Sequence, residues 1–356
     1  MVNTAEEQRR TVALTKLAAL NLDVLIVTSL HNVRYLTGFT GSNGAVLLFR
    51  NRRAVLITDP RYTVQSHQQV NCRVVISKGP LLKAIAQEVD RGRVTRAGFE
   101  RDHLTVGQLE TLRVRASLQP TSGLIENLRM VKDEGEAAKI RASVLCNSRA
   151  LDAALKRFKI GMKESELAAE IDYQSRKLGA EAPAFDTIVA AGERAALPHA
   201  QPGATAINPG ILLIDMGAFL GGYASDMTRM VHVGAATPKY KRAYRAVLEA
   251  QLAAIDAVKS GATTHAVDNA ARGTLKRHNL EREFIHSTGH GLGLEIHELP
   301  RIGRKDKTVL EAGMAITIEP GVYIEGWGGI RIEDTVLVTS TGCEILTPTT
   351  KDLREV

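Results

Sequence analysis

Residues 214–228 read IDMGAFLGGYASDMT, and residues 318–335 read IEPGVYIEGWGGIRIEDT. Each begins with an apolar run ending in acid-x-Gly, passes through a Gly-containing turn, and returns with acid-x-Thr. The acids are Asp215 and Asp226 in the first stretch, Glu319 and Glu333 in the second, 11 and 14 residues apart. An apolar strand ending in a carboxylate, followed by a hairpin that brings back another, places both on one face of a ribbon. Two such ribbons facing each other gather four carboxylates. Like charges buried at that density do not all ionise unless a cation compensates them. Taken singly, each acid reads as solvated or capping a turn at a strand end; the repeated pattern reads as a metal site.

Between the ribbons lies HSTGHGLGLEIH, residues 286–297, with three histidines in 12 residues and glycines that allow close backbone approach. Four carboxylates with an imidazole form a hard, oxygen-rich donor set. It suits Mn²⁺, with Co²⁺ or Fe²⁺ as alternatives, and argues against a thiolate zinc site. Bridging carboxylates allow two ions roughly 3.5 Å apart. The glycine spacing does not match a dinucleotide fingerprint. Arg301 stands where a zincin helix needs its second histidine, and TGFTGSNG at 37–44 lacks the Lys-Ser/Thr of a phosphate loop.

Outward from this centre, the second segment reads as helices on a largely antiparallel sheet, an α+β arrangement. Helices are expected from Asp133, as N-cap, to Gly161, and over Glu164–Leu178, Pro238–Lys259 and Thr263–Arg277. Strands are expected over Ile211–Met216, Ser225–Val233, Met314–Glu319 and Gly329–Val338. The first segment alternates: a helix over Thr4–Leu20, strands over Asp23–Thr28, Ala45–Phe49 and Arg53–Thr58, then a helix over His103–Ala116. That pattern is an α/β domain. The expected division is 1–126 and 127–356.

The 356-residue chain has the composition of a globular protein, with 44% hydrophobic and 24% charged residues. Its net charge of +7 is uneven: residues 1–132 carry 19 basic and 10 acidic side chains, the remainder 27 and 29. The basic residues are scattered and aromatics are only 4%, so a solvated basic face is expected rather than a nucleic-acid partner. No apolar run reaches the roughly 18 residues of a membrane span, so no membrane partner is expected, and the first ten residues do not read as a signal peptide. Three scattered cysteines, Cys72, Cys146 and Cys343, offer neither a disulfide framework nor a CxxC pair, which points to the cytoplasm.

Asp215, Asp226, His290, Glu319 and Glu333, in that order, resemble the five ligands of the pita-bread metallopeptidases. The words GYASDMTR, HSTGHGLGLEIHE, ITIEPGVY and GIRIEDT, and Ala195-Ala196-Leu197-Pro198-His199, resemble the proline-specific branch of prolidase and aminopeptidase P. The resemblance covers nearly the whole chain. It implies a creatinase/prolidase-type amino-terminal α/β domain, a pita-bread catalytic domain and a homodimer. It also implies that Asp226 and Glu333 bridge two divalent ions, with Asp215 on one and His290 and Glu319 on the other. Glu319 would shuttle protons, and His199 and His297 would contact the substrate carbonyl. His286, Arg331 and Tyr223 would orient ligands from the outer shell.

The implied substrate is a small peptide with proline second. Its tertiary imide bond has no N–H for an ordinary protease to hold. Arg301 resembles the arginine with which microbial prolidases clamp the proline carboxylate, which favours a dipeptidase over an Xaa-Pro aminopeptidase. A metal-free creatinase-like amidinohydrolase and a catalytically silent peptide-binding pseudo-peptidase share the fold. Both are disfavoured by the intact ligand set.

Overall fold

The computed structural model describes residues 4–51 and 53–356, and the chain divides into two compact units at Arg129/Met130. The first unit runs α1 (Ala5–Ala19), β1 (Val24–Val27), α2 (Leu30–Thr37), β2 (Gly44–Phe49), β3 (Ala54–Thr58), α3 (Thr63–Gln69), β4 (Arg73–Ile76), α4 (Leu81–Arg91), β5 (Arg96–Glu100), α5 (Val106–Thr111), β6 (Ser117–Thr121) and α6 (Glu126–Arg129). Its mixed sheet has the order β4-β3-β2-β1-β5-β6, around a core that includes Val24, Ile26, Leu47, Ile57 and Ile85. The expected helix over His103–Ala116 is only α5: a Thr105/Gln108 capping box opens it, and Leu112 already has extended backbone. The unit boundary falls slightly beyond the expected 126/127. Arg129 bonds Asn32, and the Leu128 carbonyl accepts from Tyr35, which keeps α6 with the first unit.

The second unit begins with α7 (Glu134–Leu155) and α8 (Glu164–Lys177). Short strands β7 (Ala182–Pro183) and β8 (Ile188–Ala191) lead to β9 (Gly210–Met216), β10 (Ala218–Leu220), β11 (Tyr223–Ala224) and β12 (Met227–Val233). Then come α9 (Pro238–Asp256), α10 (Thr264–Arg277), β13 (Gly289–Gly291), β14 (Glu298–Ile302), β15 (Ala315–Ile318), β16 (Gly321–Ile324), β17 (Gly328–Arg331), β18 (Asp334–Val338), β19 (Cys343–Ile345) and β20 (Arg354–Glu355). Asp133 caps α7 in a capping box, but the helix stops at Leu155 rather than running to Gly161. The turn beyond it lets Phe158 and Met162 pack on the core beneath β9 and β12. Thr237 and Thr263 cap α9 and α10 as their sequences suggest.

Two sheets carry the acid-bearing ribbons, ordered β20-β12-β9-β8 and β14-β13-β15-β18-β19. In the first, Asp215 lies opposite Thr228; in the second, Ile318 lies opposite Asp334 and Thr317 opposite Thr335. The strand expected over Gly329–Val338 is two strands in different sheets. β17 pairs with β16 in a hairpin, and β18 joins β15. The break at Ile332–Glu333 follows from Pro320 on the partner side, which has no N–H to continue the ladder. There the Glu333 N–H turns instead to the Thr228 carbonyl of β12, at 3.2 Å, and ties the two ribbons together.

Candidate metal centre

Because Glu333 sits at this crossover, its side chain faces β12. Its Oε2 accepts from Thr228 Oγ1 at 2.7 Å, and Thr335 Oγ1 donates to the Asp226 carbonyl at 3.0 Å. His290 enters from β13. Its Nδ1 lies 2.9 Å from the Gly291 carbonyl, which can only accept, so the proton sits there and Nε2 presents a lone pair. That lone pair lies 3.5 Å from Asp226 Oδ2 and 3.4 Å from Glu319 Oε1. Asp226, His290 and Glu333 each offer a ligand atom within 4.8 Å of the others. Glu319 Oε1 also takes the Thr317 hydroxyl at 3.2 Å.

Burial pushes Asp226 well above the usual carboxylate range, and the negative charges of Asp215 and Glu319 add to it. Glu333 is raised in the same way, first by burial and then by Asp226, Glu319 and Asp215. Asp215 is raised by burial although Arg331 opposes the shift; its Oδ2 takes Arg331 Nη2 at 2.7 Å. Its Oδ1 is buried without a hydrogen-bond partner among the described residues. An imidazole lone pair aimed at carboxylate oxygens, together with an orphaned buried oxygen, is a cluster of electron-pair donors facing one another. It fits hard divalent cations.

Around the ligands, Arg331 donates through Nε to Thr228 Oγ1 at 2.9 Å and through Nη1 to Tyr323 Oη at 2.6 Å. His286 Nε2 lies 2.9 Å from that hydroxyl, and its Nδ1 lies 2.7 Å from the Ser287 carbonyl. With the proton on Nδ1, Tyr323 donates to His286 while accepting from Arg331. Burial holds His286 below the ordinary imidazole value and raises Tyr323 to about 12. Helix α10 braces this wall: Arg272 Nη1 reaches the Phe284 carbonyl at 3.0 Å, and Thr288 Oγ1 reaches Asp268 at 2.8 Å.

The remaining expected residues divide. His297 stacks edge-on to His290 with ring centroids 4.4 Å apart; burial, then His290 and His199, hold its pKa low. His199 lies on the loop whose Pro198 carbonyl accepts from Arg331 at 3.4 Å. Arg301 is opposite His290 across β13–β14 and lines a cavity with His286, Ser287 and Ile285. Tyr223, expected in the outer shell, donates its hydroxyl to Glu136 of α7 at 3.0 Å. The phenol between Arg331 and His286 is Tyr323, in the quoted word ITIEPGVY but not singled out in it. Thr228 was visible as the Thr of acid-x-Thr, yet only the register shows that it bonds the opposite ribbon.

With this geometry in place, the chain matches two family models: Metallopeptidase family M24 over residues 138–340, and the Creatinase/Prolidase N-terminal domain over residues 9–131. It is 35% identical over 337 residues to an Xaa-Pro dipeptidase of Pyrococcus horikoshii, covering 94% of this chain and 95% of the relative. Among solved structures, an Xaa-Pro dipeptidase from Bacillus anthracis superposes with a TM-score of 0.94 at 37% identity, covering 99% of both chains. An X-Pro aminopeptidase from Thermotoga maritima gives 0.90 at 34% identity, covering 96% of this chain and 100% of that one.

Proposed function

The chain belongs to metallopeptidase family M24, and from that premise we propose that it hydrolyses the Xaa-Pro imide bond of dipeptides, as a prolidase. The observation that carries this is the convergence of Asp226, His290 and Glu333 from two ribbons and a third strand, with Asp215 and Glu319 beside them. Asp226 and Glu333 would bridge two divalent ions, Mn²⁺ foremost, with Asp215 on one and His290 and Glu319 on the other. When bound, such ions supply an acidified water and polarise the scissile carbonyl.

The chain's own residues do the rest. Glu319, its Oε1 steadied by Thr317, takes a proton from the attacking water and delivers it to the imide nitrogen as that bond breaks. His297, kept neutral by burial, donates an N–H to the substrate carbonyl as negative charge develops, with His199 beside it. Thr228, Arg331, Tyr323 and His286 form one relay that fixes Glu333 and Asp215. Arg301 takes the proline carboxylate, the group that distinguishes a dipeptide from a longer chain.

We further propose a homodimer at work in the cytoplasm; among the described residues no helix is long and apolar enough to cross a membrane. A single mass by light scattering equal to the monomer would remove the dimer. The activity is tested on metal-stripped protein reloaded with Mn²⁺, following Ala-Pro beside a tripeptide extension, with Asp226→Ala as control. Dipeptide cleavage alone, with a roughly tenfold or larger rise in KM for Arg301→Ala, is the expected result. Efficient tripeptide cleavage unaffected by Arg301→Ala would make the protein an Xaa-Pro aminopeptidase. Peptide binding indifferent to chelator, without hydrolysis, would make it a binding module.

A further inference from the structure

We propose that Arg229 is a positioning residue for Glu333, pinning the crossover of the two acid-bearing ribbons from behind, with residues 346–356 as a strap across both. The inference rests on the reading of Glu333 as a metal ligand. Arg229 closes the word GYASDMTR on β12. Successive strand residues face opposite ways, so Thr228 points at Glu333 while Arg229 points away from it.

The guanidinium is only 5% exposed, and each of its five N–H groups has its own acceptor. Nη1 donates to the Thr228 carbonyl at 3.0 Å and to the Glu333 carbonyl at 2.5 Å, one on each ribbon. Nη2 donates to Asp334 Oδ1 and to the Thr349 carbonyl, both at 2.7 Å, and Nε donates to the Thr350 carbonyl at 3.1 Å. The Glu333 N–H already bonds the Thr228 carbonyl at 3.2 Å, so Arg229 ties the same two residues from a second direction.

Residues 346–356 complete the pin. At one end the Leu346 N–H bonds the Thr335 carbonyl at 2.9 Å, and Thr347 Oγ1 takes the Thr335 N–H at 3.0 Å, so the segment leaves from β18. At the other end β20 lies parallel to β12, with Val231 opposite Arg354 and His232 opposite Glu355. Midway, Lys351 Nζ and Gln251 Nε2 of α9 both donate to Asp334 Oδ2, at 2.5 and 2.9 Å. Asp334 therefore keeps partners when Arg229 is removed, whereas the Thr228 and Glu333 carbonyls lose a donor together. A buried carbonyl deprived of a donor recovers one from water only if the crossover parts, and the Glu333 side chain moves with it.

The test uses the metal-stripped full chain, titrated with Mn²⁺ by calorimetry and followed by amide exchange with mass spectrometry. Partners that orient ligands typically contribute about 10–100-fold in metal affinity. Arg229→Met should weaken Mn²⁺ binding by that factor, and Arg229→Lys nearly as much, since one ammonium cannot serve five acceptors. In the stripped variants, exchange over 330–336 should rise about tenfold more than exchange over α10, because the opening is local. Leu275→Ala, in the core face of α10, is the control for lost stability and should keep the wild-type Mn²⁺ affinity. Wild-type affinity in either folded Arg229 variant, an equal rise in exchange over both segments, or the same loss of affinity in Leu275→Ala would each overturn the proposal. Where Arg229→Met does not fold, Arg229→Lys, which keeps a cation beside Asp334, carries the same comparisons. If the wild type binds no Mn²⁺, the metal reading falls, and the exchange comparison still decides whether Arg229 holds Glu333.

Discussion

Each unit of this chain buries a glutamate that an arginine reaches through a neutral side chain. In the amino-terminal unit Arg129 donates to Asn32 at 2.8 Å, and Asn32 donates to Glu100 at 2.6 Å. In the catalytic unit Arg331 donates to Thr228 at 2.9 Å, and Thr228 donates to Glu333 at 2.7 Å. The surroundings differ. Glu100 Oε2 also receives the backbone N–H groups of Thr28 and Ser29, at 2.6 and 2.8 Å. Burial raises its pKa, these donors pull it back, and Glu126 adds a like charge. Glu333 faces Asp226, Glu319 and Asp215, and is driven well above the ordinary range. Burial alone therefore does not mark a site. A buried carboxylate that the fold has supplied with donors is structural, and one surrounded by other carboxylates is waiting for a cation.

The same substitution in both places separates these roles. On the proposed reading of the site, Glu333→Gln removes a ligand from ions worth several kcal/mol of transition-state stabilisation, so dipeptide hydrolysis should fall by roughly 1,000-fold or more. In metal-stripped protein the same change relieves like-charge repulsion and keeps the Thr228 contact, so Tm should rise. Glu100→Gln should leave hydrolysis largely intact. It puts an amide NH₂ among N–H donors, and the stability loss expected for a buried unsatisfied donor is about 1–3 kcal/mol. Calorimetry of the two stripped variants tests the contrast; shifts of the same sign would break it.

Arg331 gives the next largest effect. Its guanidinium is buried, and it neutralises Asp215 while holding Thr228 and Tyr323. Partners that orient ligands typically contribute 10–100-fold in metal affinity. Arg331→Met should weaken Mn²⁺ binding by about that factor, measured by titration calorimetry. Arg331→Lys should recover little, because one ammonium cannot reach three acceptors spread over a guanidinium's width. A variant with wild-type affinity would mean that Asp215 needs no compensation.

The difference between the two relays was only partly legible in the sequence. The four acids and the repeat that carries them were visible, because strand alternation and a glycine turn constrain where side chains point. Helix starts were visible for the same local reason: Thr4, Asp133, Thr237 and Thr263 all cap where they stand. What depended on distant partners was not. Once Pro320 ends the ladder, the Glu333 N–H goes to the Thr228 carbonyl of β12, far away in the chain, and the Tyr223 hydroxyl goes to Glu136 of α7 rather than to the ligands. Glu100 carries no distinguishing signal in the sequence, because a structural carboxylate and a ligand look alike until their donors are known.

The smallest expected effect is a slope in stability with pH. Asp215, Asp226 and Glu333 titrate above their ordinary values of 3.8 and 4.5 in the folded, metal-stripped protein. The folded state then holds protons that the unfolded chain releases. Their stabilising contribution is complete below about pH 4 and is lost as pH rises through the folded values. If Asp215, Asp226 and Glu333 hold the ions as proposed, divalent ions take over the role of those protons, and the loaded protein lacks this slope. Glu100, raised in the same direction, contributes equally to both forms and cancels in their difference. His286 and His297 are shifted down, so they contribute stability that grows as pH rises towards 6.5 and opposes the carboxylates only in that range. The gap in Tm between Mn²⁺-loaded and EDTA-treated protein should therefore widen, by a few degrees, from about pH 5 to pH 8. A gap that stays constant would mean that the carboxylates of the catalytic unit ionise as freely as exposed ones, and the contrast with Glu100 would lose its physical basis.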